Sequence, residues 1–74
     1  MEDLHRRVIK AMQHHAPGIR AVLVREKRHV VLDFTFQERT VRAVISKSPK
    51  DCEFAYRNAC ICICRDLHLP KINH

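Results

Sequence analysis

The chain has 74 residues, of which 46% are apolar and 30% charged, and it contains a single glycine. This composition excludes the polar, Gly/Pro-rich profile of disorder, and the length leaves room for one small hydrophobic core. Lys and Arg number 14 against 8 Asp and Glu, a net charge of +6. That charge favours an anionic partner, although a basic surface that only keeps the protein soluble fits it equally well.

The first residues, Met1 to Arg7, carry charges of both signs and no apolar stretch of the kind that directs secretion. We therefore expect a cytoplasmic location with reduced cysteine thiols. No apolar run approaches the roughly 18 residues that cross a bilayer, so no membrane contact is expected.

Four cysteines lie in the last third of the chain, at Cys52, Cys60, Cys62 and Cys64. They lack the paired C-x2-C spacing that is typical of zinc sites. Cys60 and Cys64 share a helical row with His68, but cysteine is more often a small buried core residue. We predict neither a metal nor a cofactor.

A first helix is predicted from Glu2 to Ala16 and ends at Pro17-Gly18. Its apolar stripe consists of Leu4, Val8, Ala11, Met12 and His15.

Three strands follow, at Ile19 to Glu26, His29 to Phe36 and Thr40 to Ser46, and short polar turns between them predict an antiparallel meander. Alternation places Val30, Leu32, Phe34 and Phe36 on one buried face. The other face should be open and carry Arg20, Val22, Val24, His29, Val31, Asp33, Thr35, Arg42 and Val44.

The last helix is predicted to begin with Ser48 as N-cap and Pro49 at its first position, with Asp51 three residues after the cap, and to end at Leu69-Pro70. Its main stripe consists of Cys52, Ala55, Tyr56, Ala59, Cys60, Ile63 and Leu67. A second apolar line, Phe54, Ile61 and Cys64, suggests contact with the first helix, a protein partner or a homodimer.

These elements predict one α+β domain at residues 1–69, in the order α-β-β-β-α, followed by a short tail at residues 70–74. Both helices should pack on one face of the three-stranded sheet, because each apolar stripe needs the apolar sheet face.

Basic residues cluster on the predicted strands and turns. The candidates for nucleic-acid binding are Arg20, Arg25, Lys27, Arg28, Arg39 and Arg42, since clustered cations neutralise phosphates. Glu26, Asp33 and Glu38 lie among them, so an ordinary solvated sheet with cross-strand ion pairs stays open. The open face has no aromatic residue, which argues against base stacking.

His29 is the candidate catalytic residue. A histidine beside Arg28 could act as general acid or base on a ribose hydroxyl or a leaving oxygen while the arginine holds phosphate. The alternative is a polar surface residue at a strand end.

A little over half of the chain carries a family resemblance, through the segments Lys27-Arg28-His29-Val30-Val31, Arg39-Thr40-Val41, Ser48-Pro49, Arg57-Asn58 and Arg65-Asp66. In these segments the chain resembles the HicA-like proteins, small mRNA-interferase toxins and their phage relatives with a fold of the double-stranded-RNA-binding type. The resemblance implies an RNA-facing surface, and His29 is the only residue that matches the family's catalytic histidine, without the preceding Gly and Ser/Thr.

Three functions follow as hypotheses. The first is a small basic nucleic-acid-binding module, with RNA favoured. The second is a HicA-like mRNA endonuclease with His29 as acid or base and an antitoxin protein as partner. The third is a phage-type inhibitor that binds a host protein.

Overall fold

The computed structural model describes residues 3–47 and 50–70. Its elements are α1 (Leu4–His15), β1 (Arg20–Glu26), β2 (His29–Phe36), β3 (Arg39–Ser46) and α2 (Cys52–Asp66). The predicted α-β-β-β-α order and the α+β class are confirmed.

Helix α1 ends where the sequence predicts. Ala16 is the C-cap and its N–H donates to the carbonyl of Met12. Gly18 has φ of 99°, a backbone region that residues with a Cβ adopt only with strain. Within the described residues the helix starts at Leu4, and the predicted start at Glu2 lies outside them.

The three strands form an antiparallel sheet in the order β1-β2-β3. Gln37 and Glu38 join β2 to β3 and both have positive φ, 49° and 68°, as in a type I′ turn. Arg39 pairs with Phe36 and belongs to β3. The predicted strand start at Thr40 is therefore one residue late.

Strand β1 contains a β-bulge that the residue pattern did not reveal. Leu23 pairs with Leu32 of β2, but the next pair joins Arg25 to Val31, so Val24 is an extra residue. Strict alternation would place Arg25 on the same face as Leu23. The bulge instead moves Arg25 to the open face.

Helix α2 begins later than predicted. Asp51 is its N-cap, and a side-chain oxygen of Asp51 accepts a hydrogen bond from the Phe54 N–H at 3.0 Å. Asp51 is thus the cap itself, because a carboxylate satisfies a backbone N–H that the first turn leaves unpaired. Ser48 and Pro49, the predicted N-cap and first helical residue, lie outside the described residues.

The C-terminus of α2 is a Schellman motif. The N–H of Leu69 donates to the carbonyl of Cys64 at 2.8 Å, and that of His68 to Arg65 at 3.2 Å. His68 occupies the left-handed position, with φ of 58°. The helix therefore ends at Asp66, before the predicted stop at Leu69-Pro70. Of the predicted tail, Pro70 accepts a hydrogen bond from His15 at 2.7 Å, and residues 71–74 lie outside the described residues.

One hydrophobic core lies between the sheet and the helices. Buried residues of both helices, of β2 and of β3 form it, among them Val8, Met12, Val30, Leu32, Phe34, Ile45, Cys60, Ile63 and Cys64. Both helices therefore cover the same sheet face. Cys64 makes the predicted contact with the first helix: it is buried with its Sγ 4.0 Å from the sulfur of Met12, while Phe54 and Ile61 of the same predicted line are exposed.

Charged and aromatic side chains join the two helices at the surface. The Nη1 of Arg7 lies 2.7 Å from Oε1 of Glu53, and the guanidinium stacks on the ring of Tyr56 at 4.1 Å. This hydrogen bond lowers the pKa of Glu53. In the described part of the chain, neither helix combines the length and apolarity needed to cross a bilayer.

Candidate functional site

Four of the predicted site residues surround one shallow depression at an end of the open face. Arg25, Lys27, Arg28 and His29 form its rim, which we call the basic corner, and the depression has a volume of about 390 Å³. Its apolar lining is supplied by Val31 and Val44, and the latter is 62% exposed.

Local backbone structure positions these cations. The β1 bulge turns Arg25 toward the open face beside Val31. Lys27 and Arg28 form the tight connection between β1 and β2, closed by a hydrogen bond from the Lys27 N–H to the carbonyl of His29 at 3.2 Å. His29 is the first residue of β2. The corner is therefore built by one hairpin end.

The cations of the basic corner have no acidic partner among the described residues. The nearest acid in sequence, Glu26, pairs with Val30 on the helix-covered face and lies 3.8 Å from the Nζ of Lys47. It lines a different pocket, beside Leu4 and His5. Since no carboxylate neutralises the corner, its positive charge is available to an anionic ligand.

Arg42 differs from these residues because it is already paired. Its Nε donates to Oδ1 of Asp33 at 3.0 Å across the β2–β3 pair. The hydrogen bond and the charge of Asp33 raise the pKa of Arg42. This cross-strand pair leaves the middle of the open face close to neutral.

The remaining two candidates lie apart from the corner. Arg20 pairs with Thr35 on the open face, whereas Arg25 pairs with Val31, four residues away along β2, or roughly 13 Å at the usual strand rise. Arg39 pairs with Phe36 and lies two residues before Val41, so its side chain is on the same sheet face as Val41, the face that the helices cover. The structure therefore separates Arg39 from the other cations, because strand phase decides the face.

A larger groove, of about 470 Å³, lies between β3 and α2. Its lining includes Phe54, Ala59 and Cys62, with Arg42, Arg65 and Asp66 as the charged members. Arg42 is paired with Asp33, and Arg65 with its neighbour Asp66 at 3.3 Å. The groove was not predicted from sequence, because it depends on how α2 packs against the sheet edge.

The cysteines offer no metal centre in the described residues. No group of three or more His, Cys, Asp or Glu side chains is arranged to hold an ion in residues 3–47 and 50–70. Burial raises the pKa of the Cys60 thiol to about 11, so the ligating thiolate is disfavoured. Cys60 and Cys64 lie in the core, whereas His68 is exposed.

Comparison with protein-family models, curated proteins and solved structures found no match for this chain. The basic corner is the feature of this chain whose geometry and charge point to a ligand.

Proposed function

We propose that this protein is a small nucleic-acid-binding module, with RNA favoured, that contacts phosphates through the basic corner. The observation that carries the proposal is the set of cations at Arg25, Lys27 and Arg28, which have no acidic partner among the described residues. Arginine and lysine in such a setting bind phosphate oxygens through charge-assisted hydrogen bonds. The resemblance to HicA-like proteins supports RNA over DNA.

The surroundings of the corner fit phosphate contact better than base stacking. Val31 and Val44 give the depression an apolar lining, but among the described residues no Phe, Tyr or Trp lies on the open face. This face therefore offers none of the Phe, Tyr or Trp side chains on which single-strand platforms stack bases. Affinity should come mainly from phosphates and should depend little on sequence.

Fluorescence anisotropy with labelled RNA and DNA tests the proposal. The variant K27Q/R28Q removes two charges from the corner, and the matched control R39Q/R57Q removes two charges elsewhere: Arg39 is on the helix-covered face and Arg57 is exposed on α2. We expect the corner variant to bind at least about tenfold more weakly, and the control to lose much less.

Two outcomes would contradict the proposal. Absence of binding to every RNA and DNA would remove nucleic acid as a partner. Equal losses in the two variants would show that net charge, and not the corner, attracts the polymer. Circular dichroism spectra of all variants establish that each is folded.

An RNA endonuclease is the second candidate, because His29 lies in the same depression as the three cations. A phosphate held by Arg25 or Arg28 would place its neighbouring ribose beside the imidazole. His29 would then accept the proton of the attacking 2′-hydroxyl or donate one to the leaving 5′-oxygen.

Expression in bacteria tests this second function. His29→Ala should abolish growth arrest and mRNA decay if the histidine takes part in cleavage. The control His14→Ala, at an exposed position of α1, should retain both effects. Equal toxicity of the wild type and His29→Ala would eliminate His29 as a catalytic residue.

A further inference from the structure

We propose that the basic corner recognises the terminal phosphate of a nucleic-acid strand in preference to the phosphodiesters within it. This inference deepens the proposed function and rests on it. It follows from where the uncompensated charge lies, from the number of basic residues that line the depression, and from the size of the depression.

Three of the four uncompensated cations of the open face, Arg25, Lys27 and Arg28, lie at one end of it, and Arg20 lies at the other end. The cross-strand row that crosses the corner contains Arg25, Val31 and Val44. In the next row, Asp33 neutralises Arg42. A strand that ran on from the corner across the sheet would therefore pass over a neutral row before it reached Arg20, so no continuous track of cations would follow its backbone. The attraction is strongest at the corner, to one compact anion.

The donors at the corner match a phosphate monoester better than a diester. The same depression is lined by four basic residues, Arg25, Lys27, Arg28 and His29, whose side chains carry two guanidinium groups, an ammonium group and an imidazole. A terminal phosphate carries about −1.5 to −2 charges at neutral pH and offers three acceptor oxygens, whereas an internal diester carries one charge and offers two. Only the monoester provides acceptors and charge for most of these donors.

The dimensions of the depression suit one nucleotide. Its volume of about 390 Å³ lies near the lower end of the range for small-ligand sites, roughly 300–1,000 Å³. Val31 and Val44 provide an apolar surface against which the ribose or base of the end nucleotide can pack without stacking. A duplex groove or a long strand would contact only the rim.

The test compares four forms of one internally labelled RNA of about ten nucleotides, a length within the usual single-strand site sizes. The forms carry a 5′-phosphate, a 3′-phosphate, hydroxyls at both ends, or no ends because the strand is circular. Dissociation constants are measured by anisotropy with the full chain and with K27Q/R28Q. We expect at least one phosphorylated form to bind about tenfold tighter than the dihydroxyl form, as one added charge-assisted contact would give. The circle should bind like the dihydroxyl form.

The forms with a 5′-phosphate and a 3′-phosphate show which end is recognised. In K27Q/R28Q the phosphorylated and dihydroxyl forms should have the same dissociation constant. The control R39Q/R57Q should retain it. Equal dissociation constants for all four forms would overturn the inference and leave the proposed function standing, provided that the corner variant weakens every form. Failure of all four forms to bind would overturn the inference, and it would overturn the proposed function as well if every other RNA and DNA also failed to bind.

Discussion

The salt dependence of nucleic-acid binding can be worked out from the charges on the open face. Four cations there have no acidic partner among the described residues, namely Arg20, Arg25, Lys27 and Arg28. Each phosphate contact on a single strand contributes about −0.7 to the slope of log K against log salt concentration. Four contacts give a slope of about −2.8, which is a loss of roughly 50-fold in affinity between about 50 and 200 mM salt.

Removing two of the cations should halve this slope. For K27Q/R28Q we expect about −1.4, or roughly a sevenfold loss over the same salt range. The assay is anisotropy titration of a single-stranded RNA at several KCl concentrations, with R39Q/R57Q as the control that should retain the wild-type slope.

Two results would refute this reasoning. A wild-type slope much steeper than −2.8 would mean that a surface other than the open face supplies most contacts, since four is the number of uncompensated cations that this face offers. Identical slopes for the wild type and K27Q/R28Q would show that these two cations do not touch phosphate.

Further predictions concern the backbone, the helix pair and the thiols. Glu38→Gly should raise the unfolding temperature by a few degrees, because it removes roughly 0.5–1 kcal/mol of left-handed backbone strain at this position. The control Thr40→Gly, in the adjoining strand, should lower the unfolding temperature. His68→Gly should raise the free energy of unfolding by a similar amount, as measured in urea titrations. An unchanged or lower free energy of unfolding would contradict the left-handed conformation of His68 in the Schellman motif. The lowered pKa of Glu53 means that its bond to Arg7 stabilises the fold above the ordinary carboxyl pKa and is lost as pH falls through the lowered value. Thermal midpoints of wild type and Glu53→Gln should therefore differ at neutral pH and converge in acid. Native-state alkylation followed by peptide mass spectrometry should modify Cys52 first and leave Cys60 and Cys64 protected, and rapid labelling of Cys60 would contradict its burial.

The ends of α2 show why boundaries were harder to predict than elements. The repeat from Cys52 to Leu67 predicted a helix, and helical spacing is a property of the sequence alone. Ser-Pro is a common helix start and predicts Pro49 as the first helical residue, but Asp51 is the N-cap in the structure. Several residues near a helix start can act as caps, and the choice among them depends on how the chain leaves β3.

The basic corner was only partly visible in the sequence. Lys27, Arg28 and His29 are neighbours in the chain, so any turn there would bring them together. Arg25 joins them through the bulge, and a bulge leaves no clear mark in an alternating pattern. Arg39 and Arg42 were predicted as equal members of the site. Strand phase places Arg39 on the covered face, and a cross-strand contact pairs Arg42 with Asp33.

The sequence by itself determined the order of the five elements, the buried face of β2 and the net positive charge, because periodicity, turn residues and composition are local properties. Only the tertiary structure decided which cations remain uncompensated and share one depression. That outcome depends on register, on the β1 bulge and on which acids reach which bases, and these are set when distant segments pack together.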